Sequence, residues 1–232
     1  MKALIVNQLN AAPAFTEQPK PTPKKDEVVV SLKAAALNHR DLFITQGQYA
    51  GIKMPCILGS DGVGEWKGKR VILYPALEWG ESNDFQSKNF RVLGMPEDGT
   101  FAAQISVPKK NVFQLPENLT WEQGAALPLA GLTAWRTVFS RCKLKKGEKV
   151  LITGIGGGVA LTALQLAIAA GAEVFVSSGS TEKIEKAIQL GATAGANYRE
   201  AGWDKKLKQE TGGFDVIIDS AAGDGFSVST IP

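Results

Sequence analysis

Short apolar or alternating runs, separated by Pro, Gly and Asn, fill the first half of the chain, and such runs predict strands. A proline-rich connector at residues 19–23 separates the first two runs. The pattern indicates strands folded around one another with few helices. The predicted strands are residues 3–6, 28–34, 70–73 and 101–107.

The pattern changes at Thr120, where Thr120 and Gln123 have the spacing of a capping box. An Ala/Leu-rich stretch follows, interrupted by Pro128, and looks like a bridge between two domains. Beyond it strands (149–153, 173–177, 214–219) alternate with helices (159–170, 181–190), which predicts a parallel, doubly wound sheet. We therefore expect an α/β protein whose domains are residues 1–119 and 120–232.

Composition narrows the function. The 232 residues suffice for two modest domains, and 44% hydrophobic with 21% charged residues is typical of globular proteins. A net charge of +3 argues against a nucleic-acid partner. Two cysteines, Cys56 and Cys142, and one histidine, His39, are too few for a structural zinc site or a disulfide framework. These counts suit a reducing cytoplasm.

One uncharged stretch, residues 151–172, has the length of a membrane span. Glycines near its start, from Gly154 to Gly158, would break a spanning helix and instead favour a strand, a tight turn and a new helix. The first residues also lack the apolar segment of a signal peptide. We expect neither a membrane partner nor export.

The strand at 149–153 runs into this glycine turn and then into an apolar helix, the context of a dinucleotide-binding fingerprint. Glycines let the backbone approach a pyrophosphate, whose charge is met by N–H groups at the helix start. A glycine-rich turn that binds nothing is the alternative. The predicted cofactor contacts here are Gly154, Gly157, Gly158 and Val159.

The choice of cofactor depends on the end of the second strand, where a carboxylate would select NAD. Glu173 opens that strand, so we expect it at the wrong end of the sheet. Ser178, Gly179 and Lys183 follow the strand and offer donors and a positive charge, which favour the extra phosphate of NADPH. Equally, Lys183 is interpretable as a solvated lysine on an exposed helix face.

Four motifs and the glycine turn together resemble the medium-chain dehydrogenase/reductase superfamily, and within it the zinc-free quinone oxidoreductase-like branch. The resemblance implies a GroES-like N-terminal catalytic domain and a Rossmann-type domain. It also implies reduction of quinones, enones or related carbonyls by NADPH in the cleft between them. The motifs are NHRD at 38–41, LGSDGVG at 58–64, DGTFA at 98–102 and LPLAGLTAW at 127–135.

Zinc-dependent members of this superfamily carry a cysteine at the position of Asn38 and a histidine at that of Ser60. A third ligand position falls near Leu129, and the four-cysteine lobe expected between about Pro75 and Gly94 contains no cysteine. A zinc held by His39 and carboxylates is the alternative, but without soft thiolates such a site would be poor. We therefore predict no metal.

Tyr49 is the predicted proton donor, because its segment resembles the one that carries the proposed donor in related enoyl thioester reductases. A phenol stays protonated at neutral pH and can donate; packing at the rim of the cleft is the alternative. By the same resemblance Asn38 would touch the nicotinamide amide or the substrate oxygen, unless it only forms an Asx turn. Thr133 and Tyr198 are implied to contact the cofactor.

These residues predict a zinc-independent oxidoreductase that transfers hydride from NADPH to a quinone or an α,β-unsaturated carbonyl, with a small-molecule substrate as its partner. An enoyl thioester reductase shares the chemistry. From another class, the chain would be a nucleotide-binding protein without turnover.

The last expectation concerns the end of the chain. The strand at 214–219 would open the second half of a doubly wound sheet, and the sequence stops thirteen residues later, so we expect a C-terminally truncated member. An apolar strand edge would then meet water, which predicts marginal stability or self-association and little catalysis. Pro232 and the preceding residues also fail to continue the expected helix. A full-length form is predicted to be a homo-oligomer.

Overall fold

The computed structural model describes residues 1–220, and the chain folds as two compact units, Met1–Leu129 and the part from Ala130 onward. The first unit extends past the predicted boundary at residue 119, because helix α2 (Trp121–Ala125) packs on it through Ala125. The expectation for Pro232 and its neighbours lies outside the described residues.

Strands dominate the first unit, as predicted. Its central sheet is antiparallel, in the order β10-β6-β5-β3-β9, and beside it lie a three-stranded sheet, β2-β1-β4, and a β7-β8 pair. The strands are β1 Lys2–Val6, β2 Ala14–Glu17, β3 Glu27–Ala36, β4 Cys56–Ile57, β5 Asp61–Trp66, β6 Lys69–Leu73, β7 Ala76–Leu77, β8 Arg91–Val92, β9 Gln104–Pro108 and β10 Val112–Gln114.

Alternation along the strands builds the core of this unit. In β9, Ile105 and Val107 point inward and pack with Val30 of β3 and Leu73 of β6, while the residues between them are less buried. This period of two is what a sheet with one covered face requires. Two short helical segments, α1 (His39–Thr45) and a 3₁₀ turn (Lys109–Asn111), interrupt the strands, and α1 begins one loop after β3 ends.

The second unit is a parallel sheet with helices, which confirms the predicted α/β class. Its strand order is β13-β12-β11-β14, so the strand that follows the first three pairs with β11, as expected of a doubly wound fold. The strands are β11 Lys149–Ile152, β12 Glu173–Ser178, β13 Ala194–Asn197 and β14 Val216–Ile218. The helices are α3 Pro128–Trp135, whose first two residues belong to the first unit, a π-helical turn Arg136–Arg141, α4 Gly158–Ala169, α5 Thr181–Gln189 and α6 Trp203–Thr211.

The uncharged stretch at 151–172 divides as its glycines predict. It contains the end of β11, the glycine turn and the twelve-residue helix α4, whose buried face includes Ala163 and Leu164. Among residues 1–220 no helix is long and apolar enough to cross a membrane.

Candidate functional site

In the first unit the candidate site is built around the start of α1. Asn38 precedes the helix, and its N–H donates to the Asp41 carboxylate at 2.8 Å. The other oxygen of that carboxylate accepts from the Gly59 N–H at 3.3 Å. Burial raises the pKa of Asp41, and the Asn38 N–H and the neighbouring Arg40 oppose that rise. Asp41 thereby ties the helix start to the loop before β5.

Asp61, the first residue of β5, holds the Asn38 side chain. Its carboxylate accepts from Asn38 Nδ2 at 2.8 Å through one oxygen and from the Leu129 N–H at 2.7 Å through the other. Asp61 is 1% exposed, and burial raises its pKa to about 6 against the lowering effect of these two hydrogen bonds. A buried carboxylate is thus satisfied by two uncharged donors.

Arg40 connects this cluster to Tyr49. Its guanidinium donates to Ser60 Oγ at 2.5 Å and to the carbonyl oxygens of Leu93 at 2.9 Å and Met95 at 3.1 Å. The same group lies 5.2 Å from the centre of the Tyr49 ring. Tyr49 is 41% exposed, so its ring packs on a buried cation while part of it faces solvent. The two predicted catalytic residues, Asn38 and Tyr49, therefore both lie around α1.

The zinc-ligand positions of the resemblance carry the wrong donors for zinc. Ser60 accepts from the Arg40 guanidinium and donates to the Leu93 carbonyl. The positively charged guanidinium therefore already lies beside the Ser60 hydroxyl. Asn38 and Leu129 meet at Asp61, which would be a lone charged oxygen donor. Across the described part of the chain no three His, Cys, Asp or Glu side chains form a group that could hold a metal ion.

The glycine turn of the second unit connects β11 to α4. Gly154 and Gly156 adopt φ values of +64° and +116°, which favour glycine. Gly157 is the N-cap of α4 and, lacking a side chain, leaves the N–H groups of Gly158 and Val159 for another acceptor. Of the predicted contacts, Gly157, Gly158 and Val159 form the start of α4, and Gly154 lies in the turn before it, an arrangement that suits a pyrophosphate.

Thr133 lies on α3, which reaches the same turn. Ala130 of that helix would be 3.3 Å from a Cβ added to Gly158. Thr133 follows Ala130 by three residues, so the two share one face of the helix, and Thr133 is exposed.

At the carboxyl end of β12 the polar and cationic side chains lie against glycines. The Lys183 side chain covers Gly156, where an added Cβ would be 2.7 Å from Lys183 Cδ. An added Cβ at Gly179 would be 2.8 Å from both the Tyr198 hydroxyl and Arg199 Nε. The structure therefore brings Lys183 to the glycine turn and Tyr198 to Gly179.

Hydroxyls and acids at this edge are distributed as the sequence predicts. β12 begins at Glu173 and ends at Ser178, so Glu173 lies at the amino end of the sheet. Ser178 Oγ accepts from the Ser180 N–H at 3.2 Å. Glu182 forms an ion pair with Lys186 at 2.8 Å, which lowers the pKa of Glu182. Both residues lie on α5, so the Glu182 carboxylate is paired within its own helix.

Four residues of these clusters are not among the predicted site residues: Arg40, Asp41, Asp61 and Arg199. Arg40, Asp41 and Asp61 lie in motifs of the resemblance, but only their burial and their partners single them out. Arg199 directly follows Tyr198, so a basic residue beside a predicted cofactor contact is the signal that could have found it.

Comparison with known proteins agrees with this architecture. Residues 24–117 match the family model of the alcohol dehydrogenase GroES-like domain, and residues 158–230 match that of zinc-binding dehydrogenase. The chain is 38% identical to the zinc-type alcohol dehydrogenase-like protein YogA of Leptosphaeria maculans over 88% of its own length. It spans 64% of that relative, less than two thirds.

Solved structures give the same result. A crystal structure of an NAD-dependent alcohol dehydrogenase aligns with a TM-score of 0.93 at 31% identity and covers 99% of this chain and 73% of its own. The quinone oxidoreductase of Thermus thermophilus, solved also with NADPH, aligns with a TM-score of 0.82 at 28% identity and covers 98% of this chain and 69% of its own. On its two domain matches, its curated relative and these folds, the chain belongs to the medium-chain dehydrogenase/reductase superfamily.

Proposed function

We propose that this chain carries the cofactor-binding and substrate-binding groups of a zinc-independent oxidoreductase that transfers hydride from NADPH to a quinone or an α,β-unsaturated carbonyl. The observation that carries the proposal is the edge of the second-unit sheet, where Lys183 lies on the glycine turn and Tyr198 and Arg199 lie on Gly179. One solved neighbour is named as NAD-dependent and the other as an NADPH complex, so local chemistry has to decide the cofactor.

The local chemistry favours a phosphate on the adenosine ribose. Two cations and a phenol are the donor set that binds a dianionic phosphate. Glu182, four residues after the end of β12, is paired with Lys186, and Glu173 is at the far end of β12. The pyrophosphate would be held by the N–H groups of Gly158 and Val159, with Thr133 and Ser178 as further contacts.

Zinc independence rests on the donor set of the first unit. A metal at the position of the resemblance would need soft or imidazole ligands, and Ser60 there is bonded to the Arg40 guanidinium. Bringing a divalent cation against that buried guanidinium is electrostatically unfavourable. The carbonyl must then be polarised by hydrogen-bond donors of the chain itself.

Asn38 and Tyr49 supply those donors in the proposed reaction. NADPH, when bound, supplies hydride to one end of the conjugated carbonyl system. The Tyr49 hydroxyl supplies the proton to the carbon that is left negatively charged after the hydride arrives. Water then reprotonates the phenolate. Asn38 donates a hydrogen bond to the substrate oxygen, where negative charge develops.

Two further expectations, a cytoplasmic location and a homo-oligomer for a full-length form, stay predictions.

Titration of NADPH and NADH against the wild type, Lys183→Ala and Tyr198→Phe tests the cofactor assignment. NADPH should bind more tightly than NADH, and both substitutions should narrow that preference. Lys186→Ala is the matched control, because Lys186 lies on the same helix and is paired with Glu182. Equal affinity for the two cofactors, or an unchanged preference in Lys183→Ala, would contradict the proposal.

Steady NADPH oxidation with a quinone or an enone tests whether the chain turns over. Activity confined to enoyl thioesters would favour the thioester reductase alternative. Tight NADPH binding without oxidation of any of these acceptors would favour a nucleotide-binding role.

A further inference from the structure

Asp61 is more than a buried strand residue, because both of its carboxylate oxygens hold donors from other elements. One oxygen takes the Nδ2 of Asn38 at the start of α1, and the other takes the backbone N–H of Leu129. The Asp61 backbone carbonyl separately accepts from Thr100 Oγ1 at 2.7 Å. The side chain therefore links the Asn38 amide to the start of α3.

The hydrogen bond from the Leu129 N–H to Asp61 caps the start of α3. Helix α3 begins at Pro128, which has no N–H, and the residue before it, Leu127, has no side-chain acceptor. The first N–H of the helix is that of Leu129, and Asp61 accepts it. An asparagine at position 61 would serve equally well for this purpose, since its carbonyl oxygen accepts one hydrogen bond.

The bond to Asn38 requires the carboxylate itself. An ionised carboxylate only accepts, so Asn38 can face Asp61 through Nδ2 and not through Oδ1. The flipped amide would place two oxygens against each other in a buried site, where an unmade hydrogen bond is costly. One orientation of the Asn38 amide is thereby selected, and its Oδ1 points away from Asp61.

We propose that Asp61 is a positioning residue of the substrate site, which locks the Asn38 amide so that its second Nδ2 hydrogen is the donor offered to the substrate oxygen. This inference rests on the proposed function of Asn38. Asp61 does not itself touch the substrate. Its role is to remove the alternative amide orientation, in which the substrate oxygen would meet Oδ1 and be repelled.

Asp61→Asn separates this role from helix capping. The asparagine carbonyl is held by the Leu129 N–H, so the new amide nitrogen faces Asn38, and Asn38 must flip to present Oδ1. We expect the capping role to survive and the amide orientation to invert. Catalytic efficiency with NADPH and 1,4-naphthoquinone should fall by about 10- to 100-fold, as for the loss of one oriented donor.

The spectroscopic readout is the pair of side-chain ¹⁵N–H₂ resonances of Asn38, assigned by their absence in Asn38→Asp. In the wild type one of these protons should be shifted downfield and exchange more slowly than those of the exposed Asn89. In Asp61→Asn that signature should disappear, while the backbone N–H resonance of Leu129 stays in place. Thr100→Val is the control, because it removes a hydrogen bond from the Asp61 backbone and leaves the carboxylate.

The results distinguish the positioning role of Asp61 from the proposed function of the chain. Unmoved Asn38 resonances in Asp61→Asn, or wild-type efficiency in that variant, overturn the positioning role. If Asp61→Asn does not fold, an Asn38 amide in the wild type that exchanges as fast as that of Asn89 overturns it. A wild type that oxidises no NADPH contradicts the proposed function instead, and the resonances still report whether Asp61 locks the amide.

Discussion

Around Asn38 in the first unit the polar groups are buried and bonded to one another, whereas Lys183, Tyr198 and Arg199 in the second unit are exposed side chains lying against glycines. A buried network loses stability when one member is removed, because its partners are left unsatisfied. Exposed side chains at a glycine move aside at little cost. We therefore expect substitutions in the first cluster to change the free energy of unfolding, and substitutions in the second to change the proposed cofactor binding with little effect on stability.

Arg40→Met gives the largest expected effect. Its removal leaves Ser60 Oγ and the Met95 carbonyl without the Arg40 donor, while the Leu93 carbonyl keeps only its bond from Ser60 Oγ. Asp41 and Asp61 also lose a neighbouring cation. The free energy of unfolding should fall by about 3–5 kcal/mol. Denaturant unfolding monitored by circular dichroism measures it.

Arg91→Met is the matched control for this substitution. Arg91 pairs with Glu97 at 3.2 Å, and both side chains are substantially exposed, so its loss should cost less than about 1 kcal/mol. Equal destabilisation by the two substitutions would contradict the contrast between a buried and an exposed cation.

The next effect is the pH dependence from Asp61. Its pKa is raised from 3.8 to about 6 in the folded chain, so the folded state binds more protons than the unfolded state between about pH 4 and 6. The contribution of Asp61 to stability is present below pH 4 and is lost as pH rises through 6. The raised pKa of Asp41 acts in the same direction.

Comparison with Asp61→Asn separates the pH dependence of Asp61, with its coupling to Asp41, from that of the more distant groups. The unfolding free energy of the wild type minus that of Asp61→Asn should decrease by about 2–3 kcal/mol between pH 4 and pH 7.5. Denaturant unfolding of both proteins at the two pH values measures the change. A difference that stays constant would mean that burial does not penalise the Asp61 carboxylate.

Tyr49→Phe should lower turnover of NADPH with a quinone by about 10- to 100-fold, because the phenol no longer donates a proton and water substitutes in part. The ring and its contact with the Arg40 guanidinium are retained, so stability should change little. Tyr74→Phe is the control, since Tyr74 packs against Phe113 elsewhere in the same unit. An unchanged rate in Tyr49→Phe would assign Tyr49 to packing.

The two sites also differ in how far the sequence predicts them. The glycine turn and the strands beside it are local patterns, and the structure has β11, α4, β12 and α5 within a residue of their predicted ends. Asp61 instead meets partners 23 and 68 residues away in the chain, which no local pattern contains.

Strand length limited the prediction of the first unit for a related reason. Strands β4, β7 and β8 have two residues each, too few to show alternation, and only pairing with other strands defines them. The predicted strand at 214–219 was placed correctly beside β11 but is shorter in the structure, Val216–Ile218. Phe214 instead packs its ring edge-on against Phe175, 5.4 Å between centres.

Gly179→Ala gives the smallest expected effect and tests the second half of the contrast. The new Cβ would lie 2.8 Å from the Tyr198 hydroxyl and from Arg199 Nε, so both side chains must move away from the proposed phosphate position. Because these atoms are the ends of exposed side chains, the unfolding free energy should change by less than about 1 kcal/mol.

The dissociation constant of NADPH for Gly179→Ala should rise about tenfold, equivalent to about 1.4 kcal/mol, while that of NADH stays nearly constant. Fluorescence titration of both cofactors measures the two constants, with Lys186→Ala as the control that leaves Gly179 untouched. Equal weakening of NADPH and NADH would mean that Gly179 acts on the shared part of the cofactor, and a large loss of stability would show that this edge is as rigid as the Asp61 cluster.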